Sequence, residues 1–305
     1  MKKLLCLYLL FVTLAAAWEP PAVPADIARD YVAADLVLNE QPCDWRAPLA
    51  ALFLPAVQDC SGAREATLRI ASQMTALTGA YYSTERRKPN MNALEALEEK
   101  KISCTGQSIL LICALRSIGI PARAVFVPTW GHIRGNHTWA EAWIDGEWQM
   151  IEFNEKDFNT PWVMENIGLL KPELPAQRVY AAAPGRPGCR VFYGGSFIAA
   201  EDVTPRYTVL AQEWYTRAQL PADHQRLLVN VLPRPAEAIP LYLETEDGTR
   251  LASAPSPTAQ SDFRYHTPFN LPRSGKHYLR VGNTRITLTP TSTPAQTLCI
   301  PLPAE

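Results

Sequence analysis

The apolar residues between Ile109 and Ile118 leave almost no polar face, so a helix formed by them must be buried on nearly every side. Ser103 is suited to cap the start of such a helix, and Gly119 followed by Pro121 is a common way to end one. The sequence therefore predicts a helix at the centre of a domain.

Cys104 falls in the first turn of this predicted helix. Unbonded backbone N–H groups and the helix dipole favour a thiolate there, which lowers the pKa of a thiol and makes it nucleophilic. The alternative is that Cys104 is one more buried cysteine, as we expect for Cys113. Since each residue turns a helix by about 100°, Cys113 lies on roughly the opposite face and is not expected to share a site with Cys104.

The segment from His137 to Asn154 predicts a β-hairpin. The dipeptide Asp145-Gly146 separates two alternating stretches, which indicates a two-residue turn in which Ile144 faces Glu147. This register decides which side chains share a face, because successive residues of a strand point to opposite sides.

One face of the hairpin should carry His137 with Glu152 and Asn154, whereas Glu155 points to the other side unless a bulge intervenes. We therefore rank Glu152 first, Asn154 second and Glu155 third as the group that orients the imidazole. A histidine in such a strand could also be an ordinary core residue. Its combination with Cys104 favours a triad for nucleophilic catalysis instead.

Four stretches around these candidates carry a resemblance to a known family, and they are SCTG at 103–106, LRSIGIPAR at 115–123, GNHTWAEAW at 135–143 and GEW at 146–148. They resemble the transglutaminase-like superfamily, and more narrowly its secreted bacterial branch, from about Leu77 to Trp162. The resemblance implies an α+β fold with a papain-like core. In such a core a helix that carries the cysteine packs on an antiparallel sheet that supplies the histidine and the acid.

By position, the resemblance implies that Cys104 is the nucleophile and His137 the general base. Glu152 stands where the superfamily usually has aspartate, and the secreted branch tends to place a glutamate where Glu155 stands, so both stay candidates. The implied reaction is acyl transfer from an amide of a protein or peptide substrate, through a thioester, to water or an amine. No cofactor or metal is implied. Candidates for a second oxyanion donor are Tyr81, Tyr82 and Trp130.

Two other functions are alternatives to the enzyme. The chain could be a degenerate relative that serves as a binding or scaffold module, which the departure from aspartate at Glu152 favours and the intact Cys104 and His137 oppose. A metal site formed by His132, His137 and Glu141 is a weaker idea, because the two histidines differ in strand parity.

The first 17 residues predict a signal peptide, with a basic start, an apolar stretch from Leu4 to Thr13 and three small residues before Trp18. We therefore expect a mature protein that begins near Trp18 and acts outside the cytoplasm, either in the periplasm or after secretion. The apolar stretch is too short to span a bilayer comfortably, and no later segment approaches that length.

An oxidising compartment permits disulfides. Cys104 must stay free for catalysis and Cys113 is expected to be buried as a free thiol. The remaining candidates are Cys43, Cys60, Cys189 and Cys299. A bridge between Cys43 and Cys60 would close most easily.

With 305 residues, of which 47% are hydrophobic, the chain can bury a substantial core in about two domains. Its net charge of -1 gives no basic surplus, so nucleic acid is not an expected partner. The patterns predict an N-terminal helical region at 18–100, a catalytic core with an excursion rich in Pro and Gly at 101–207, and a small all-β domain, similar to a β-sandwich, at 208–305.

Overall fold

The computed structural model describes residues 18–186, 188–217, 220–261, 266–291 and 295–302, so the predicted signal peptide lies outside the described residues. The helices are α1 Ala25–Tyr31, α2 Arg46–Val57, α3 Ala63–Ser72, α4 Met74–Thr78, α5 Ala93–Glu99, α6 Cys104–Ser117, α7 Pro161–Ile167 and α8 Thr204–Arg217, with a 3₁₀ helix at Pro175–Gln177. The strands are β1 Tyr81–Tyr82, β2 Lys101–Ile102, β3 Ala122–Val127, β4 His137–Ile144, β5 Glu147–Ile151, β6 Tyr180–Ala182, β7 Cys189–Tyr193, β8 Ser196–Asp202, β9 His224–Leu232, β10 Pro240–Thr245, β11 Arg250–Pro255, β12 Thr267–Pro272, β13 His277–Val281, β14 Thr284–Leu288 and β15 Ala295–Pro301.

Helix α6 is the predicted buried helix. The Ser103 side chain caps it by accepting a hydrogen bond of 2.9 Å from the N–H of Gly106. Gly119 follows its end with a φ of +85°, a left-handed conformation that suits glycine. Eleven of its 14 residues are buried, and it packs against α2, α3, α5, β3 and β4, so the prediction is confirmed.

The sheet beside α6 has six strands in the order β5-β4-β3-β6-β8-β7, and each strand runs antiparallel to its neighbours. Ile144 pairs with Glu147 across the predicted hairpin turn, and both Asp145 and Gly146 have positive φ, as a two-residue turn of this kind requires. The hairpin and its register are therefore confirmed.

Residues 180–202 differ from the expected excursion, because they supply β6, β7 and β8 and widen the sheet. Buried Ile198 and Ala200 of β8 pack in the same apolar core as α6. Turn residues between three short strands obscured this pattern in the sequence.

Helix α8 is a second difference, since the sequence predicts an all-β domain from residue 208, whereas its strands begin only at His224. Tyr207, Ala211 and Tyr215 are buried at a spacing of four residues, which is the period of a helix face. The helix start is held by Asp202, whose carboxylate accepts hydrogen bonds from the N–H and the hydroxyl of Thr204.

The C-terminal strands form a four-stranded sheet, β11-β10-β13-β14, and a three-stranded sheet, β12-β9-β15, in which β15 runs parallel to β9. Both sheets bury apolar residues in one shared cluster, including Leu227, Val229, Leu241 and Leu279. This is the arrangement of a β-sandwich. The predicted α+β class, with helices before the core sheet and a small sandwich after it, is confirmed, while the exact domain boundaries stay a prediction.

The six described cysteines carry no disulfide, so the bridge between Cys43 and Cys60, which would have closed most easily, is not formed. Burial raises the pKa of both the Cys43 and the Cys60 thiols above the ordinary value. Within the described ranges, no helix combines the length and the apolar character that a membrane crossing requires.

Candidate active site

A cleft of about 250 Å³ brings together Cys104, His137 and Glu152. Helix α6 supplies the thiol, strand β4 supplies the imidazole, and the chain just after β5 supplies the carboxylate. The other lining residues are Tyr82, Gln107, Ser108, Thr138, Phe153, Glu155 and Trp162. The predicted nucleophile, the predicted base and the first-ranked acid thus line the same cleft.

Cys104 is the first residue of α6 and is half-buried. Its sulfur therefore lies at the end of the helix where backbone N–H groups and the dipole favour negative charge. Cys113, by contrast, is fully buried in the core, and burial raises the pKa of its thiol far above the ordinary value. Of the two cysteines of this helix, Cys104 is therefore the one that lines the cleft.

His137 is held by Glu152, with 2.6 Å between Nε2 of the ring and Oε1 of the carboxylate. The other carboxylate oxygen accepts a hydrogen bond of 2.5 Å from the Thr160 hydroxyl. The His137 ring is 4% exposed and contacts aromatic rings, the nearest being Trp162 at 4.9 Å in an edge-on arrangement. These contacts fix both the position and the orientation of the imidazole.

Glu152 reaches the imidazole because the β4–β5 pairing ends one residue before it, at Ala140 opposite Ile151. Past that point the chain loops out and returns, and the N–H of Asn159 bonds to the carbonyl of Met150 at 3.1 Å. The loop places Thr160 beside the carboxylate. Because Glu152 is not paired with β4, its side chain covers the distance between the end of β5 and the His137 ring.

Asn154, the second-ranked candidate, does not lie at the imidazole. Its φ of +66° turns the chain, and its N–H donates to the carbonyl of Ala71 at 2.8 Å. Both atoms of its amide bond to Thr75, at 2.9 Å for the acceptor and 2.7 Å for the donor. The prediction that Asn154 shares a face of the hairpin with His137 is therefore wrong, because these bonds draw the chain toward α3 and α4.

Glu155, the third-ranked candidate, lines the more exposed rim of the same cleft. Partial burial, with the nearby charges of Glu152 and Asp157, raises the pKa of its carboxyl. The cleft thus holds two acids, of which Glu152 is the one that contacts the histidine.

The residues of the alternative metal site have separate partners. Glu141 bonds to Arg123 and Arg206, and His132 bonds to the carbonyl of Trp130 and to Asn166, both at 2.9 Å. Across the described part of the chain, no cluster of three or more His, Cys, Asp or Glu side chains could hold a metal ion.

The ion pairs of Glu141 form a network behind the site that the sequence analysis missed. Arg123 donates to Glu141 at 2.8 Å, Tyr207 donates to it at 2.7 Å, and the indole N–H of Trp139 donates to Tyr207 at 2.6 Å. Trp139 in turn lies 5.8 Å from the ring of His137. The sequence does carry a sign of this network, because Arg123 and Glu141 are opposite charges that each interrupt an apolar strand. The two residues pair across β3 and β4.

Among the three candidate oxyanion donors, the structure brings Tyr82 to the cleft. Tyr81 is 45% exposed and Trp130 is fully buried, and neither lines the cleft. Tyr82 lies there because β1 pairs with β2, which ends just before Cys104.

Residues 55–153 match the sequence profile of the transglutaminase-like superfamily. A sequence search against curated proteins finds no match. Among solved structures, the chain is similar to a candidate cysteine protease from Cytophaga hutchinsonii, with 19% identity, a TM-score of 0.32 and coverage of 37% of this chain and 39% of that one. It is also similar to red sea bream transglutaminase, with 11% identity, a TM-score of 0.38 and coverage of 88% of this chain and 64% of that one.

The chain therefore spans less than two thirds of either of these proteins, at 39% and 64%. The profile match includes Cys104, His137 and Glu152, the three residues that meet in the cleft. The similarity to the transglutaminase-like superfamily thus covers the part of the chain, residues 55–153, that supplies all three of these side chains.

Proposed function

We propose that this chain is a thiol enzyme that acts on amide bonds of protein or peptide substrates through a thioester at Cys104. The observation that supports this most directly is the 2.6 Å contact between His137 Nε2 and Glu152 Oε1 in the cleft that also contains Cys104. A thiol at a helix start beside an imidazole that an acid orients is the arrangement nucleophilic catalysis needs.

In this proposal Glu152 holds the ring of His137 and stabilises its protonated form. Because Nε2 is directed to Glu152, proton exchange with the thiol falls to Nδ1. The sulfur attacks the amide carbonyl, and the backbone N–H of Cys104 donates to the developing oxyanion. As the C–N bond breaks, His137 returns its proton to the leaving amine. Water or a second amine then attacks the thioester and releases the acyl group.

The proposal is tested by the pH dependence of iodoacetamide labelling at Cys104, read by mass spectrometry. We expect rapid labelling near neutral pH that slows in His137→Ala. In Glu152→Gln the labelling midpoint should move to higher pH, because loss of the carboxylate charge disfavours the imidazolium that stabilises the thiolate.

Glu155→Gln is the matched control, since it removes a carboxylate from the same cleft that does not hold the ring. We expect its midpoint to stay close to that of the wild type. Slow labelling typical of an ordinary thiol, unchanged in the His137 and Glu152 variants, would contradict the enzyme and favour the binding or scaffold module.

We also propose that the enzyme works outside the cytoplasm, on the basis of the signal-peptide pattern of residues 1–17. N-terminal sequencing of the exported protein is expected to begin near Trp18. Recovery of the full chain from the cytoplasmic fraction alone would contradict this location.

A further inference from the structure

Three buried hydroxyl groups meet at the inner wall of the cleft, which Thr138 lines. Thr105 Oγ1 lies 2.9 Å from Thr138 Oγ1, which lies 2.5 Å from the phenol oxygen of Tyr193. Their residues are 5%, 2% and 4% exposed, so solvent contributes little to the hydrogen bonding among them. A buried polar group must be satisfied within the protein, and these three satisfy one another.

The position of this hydroxyl cluster, Thr105, Thr138 and Tyr193, links it to the proposed chemistry. Thr105 directly follows Cys104 at the start of α6, and Thr138 directly follows His137 on β4. The cluster therefore ties the helix to the strand one residue away from each of the two reacting side chains.

Ser108 supports the same connection from the next turn of α6. Its hydroxyl oxygen lies 2.9 Å from the carbonyl oxygen of Cys104 and 2.9 Å from that of Thr138. The start of α6 is thus joined to β4 by the side chains of Thr105 and, one turn later, of Ser108.

Tyr193 is itself firmly placed. Its ring stacks on Phe126 at a centroid distance of 4.3 Å. It ends β7, and the turn after it is held by Asn39, whose amide donates to the carbonyl of Gly194 at 2.9 Å and to the Ser196 hydroxyl at 2.8 Å. The stacking on Phe126 and the hydrogen bonds of Asn39 therefore hold the phenol oxygen beside Thr138, and none of these contacts involves the side chains of the proposed triad.

Burial, followed by the negative charge of Cys104, raises the pKa of the Tyr193 phenol well above its ordinary value. The phenol thus keeps its proton and can donate it in a hydrogen bond. The titratable groups that face Cys104 are otherwise those of the cleft, namely Tyr82, His137, Glu152 and Glu155.

We propose that Thr105, Thr138 and Tyr193 are positioning residues that set the separation and relative orientation of the Cys104 thiol and the His137 imidazole. This inference rests on the proposed function, because it assigns the cluster a role in forming the thiolate. The proximity of two reacting groups is worth large factors in rate only if their geometry is held, so a loosened cluster should weaken the activation of the thiol.

Tyr193→Phe tests this most cleanly, because it keeps the ring that stacks on Phe126 and removes only the hydroxyl. We expect the iodoacetamide labelling rate of Cys104 at pH 7 to fall about three- to tenfold, which corresponds to the net contribution of one hydrogen bond between neutral groups, and its pH midpoint to rise. Thr138→Val should change both in the same direction, and Thr138→Ser, which keeps a hydroxyl, should restore most of the rate.

Tyr180→Phe is the matched control. Its ring lies 6.0 Å from that of Phe126 in the same aromatic group, but its hydroxyl donates to the carbonyl of Pro175 at 2.8 Å. We expect its labelling rate and midpoint to match the wild type. Thermal unfolding of each variant shows whether the labelled protein is folded at the assay temperature.

The outcomes separate the two proposals. An activated thiol in the wild type, with the same pH profile in folded Tyr193→Phe and Thr138→Val, would overturn the positioning role and leave the enzyme standing. An ordinary thiol in the wild type would overturn the enzyme and this inference with it. A slowed, shifted profile in both variants but not in Tyr180→Phe supports the positioning role.

Discussion

Cys104→Ala is expected to reduce amide-bond hydrolysis and acyl transfer to background, a loss of about 10⁴-fold or more, because no other group would form the thioester. The fold should survive, since Cys104 is a half-buried residue at the first position of α6 and the helix cap belongs to Ser103. We expect the free energy of unfolding to change by less than about 1 kcal/mol.

Two probes measure this loss, namely release of dye from labelled casein and incorporation of a fluorescent primary amine into casein. Cys189→Ala is the control, because this cysteine is exposed on β7 and does not line the cleft. It should retain the wild-type rate with whichever probe reports activity. Retention of that rate in Cys104→Ala would place the chemistry on another residue.

Glu141→Gln is expected to lower the free energy of unfolding by about 3 to 5 kcal/mol, the usual cost of breaking a buried ion pair. The Glu141 side chain is fully buried, and Arg123 beside it is 4% exposed. Burial alone would raise the pKa of the Glu141 carboxyl, but the charges of Arg123 and Arg206 outweigh it and hold the pKa below its ordinary value. Without the carboxylate these guanidinium groups would lose their buried counter-charge.

Glu201→Gln is the matched control for this stability prediction. Glu201 bonds to the same Arg123 at 3.0 Å, but its side chain is 56% exposed. Water screens such a pair, so we expect a change of about 1 kcal/mol or less. Urea unfolding of both variants provides the comparison, and equal small losses would show that the Glu141 pair is not the main contributor.

The substitution Glu141→Gln should also weaken the support of the His137 ring. Glu141 accepts from Tyr207, which accepts from the indole of Trp139, and Trp139 packs beside His137. The imidazole is thus supported by Glu152 from the cleft side and by a buried charge network from within the sheet. The two supports are on different parts of the chain and can be removed separately.

The parts of the site predicted from sequence depend on short-range chemistry. Ser103 caps its own helix three residues on, and Asp145-Gly146 sets the register of the strands it joins. Both signals act within a few residues, so a single sequence is enough to place Cys104 at a helix start and His137 on the paired strand.

The choice between Glu152, Asn154 and Glu155 depended on contacts from distant parts of the chain. Strand alternation put Asn154 on the same face as His137, but Asn154 is bound elsewhere by Thr75 and Ala71, which precede it by about eighty residues. Alternation holds only while the ladder continues, and this ladder stops at Ile151.

By itself the sequence determined the helix that starts at Cys104, the hairpin that carries His137, and the similarity of this stretch to the transglutaminase-like superfamily, because periodicity, capping and turn residues act locally. Only the tertiary structure decided that Glu152 contacts the imidazole, that β6 to β8 widen the sheet, and that Tyr193 reaches Thr138. Glu152 is 15 positions from His137, and Tyr193 is 55 positions from Thr138. Such contacts form only when the whole sheet and its covering helices pack together.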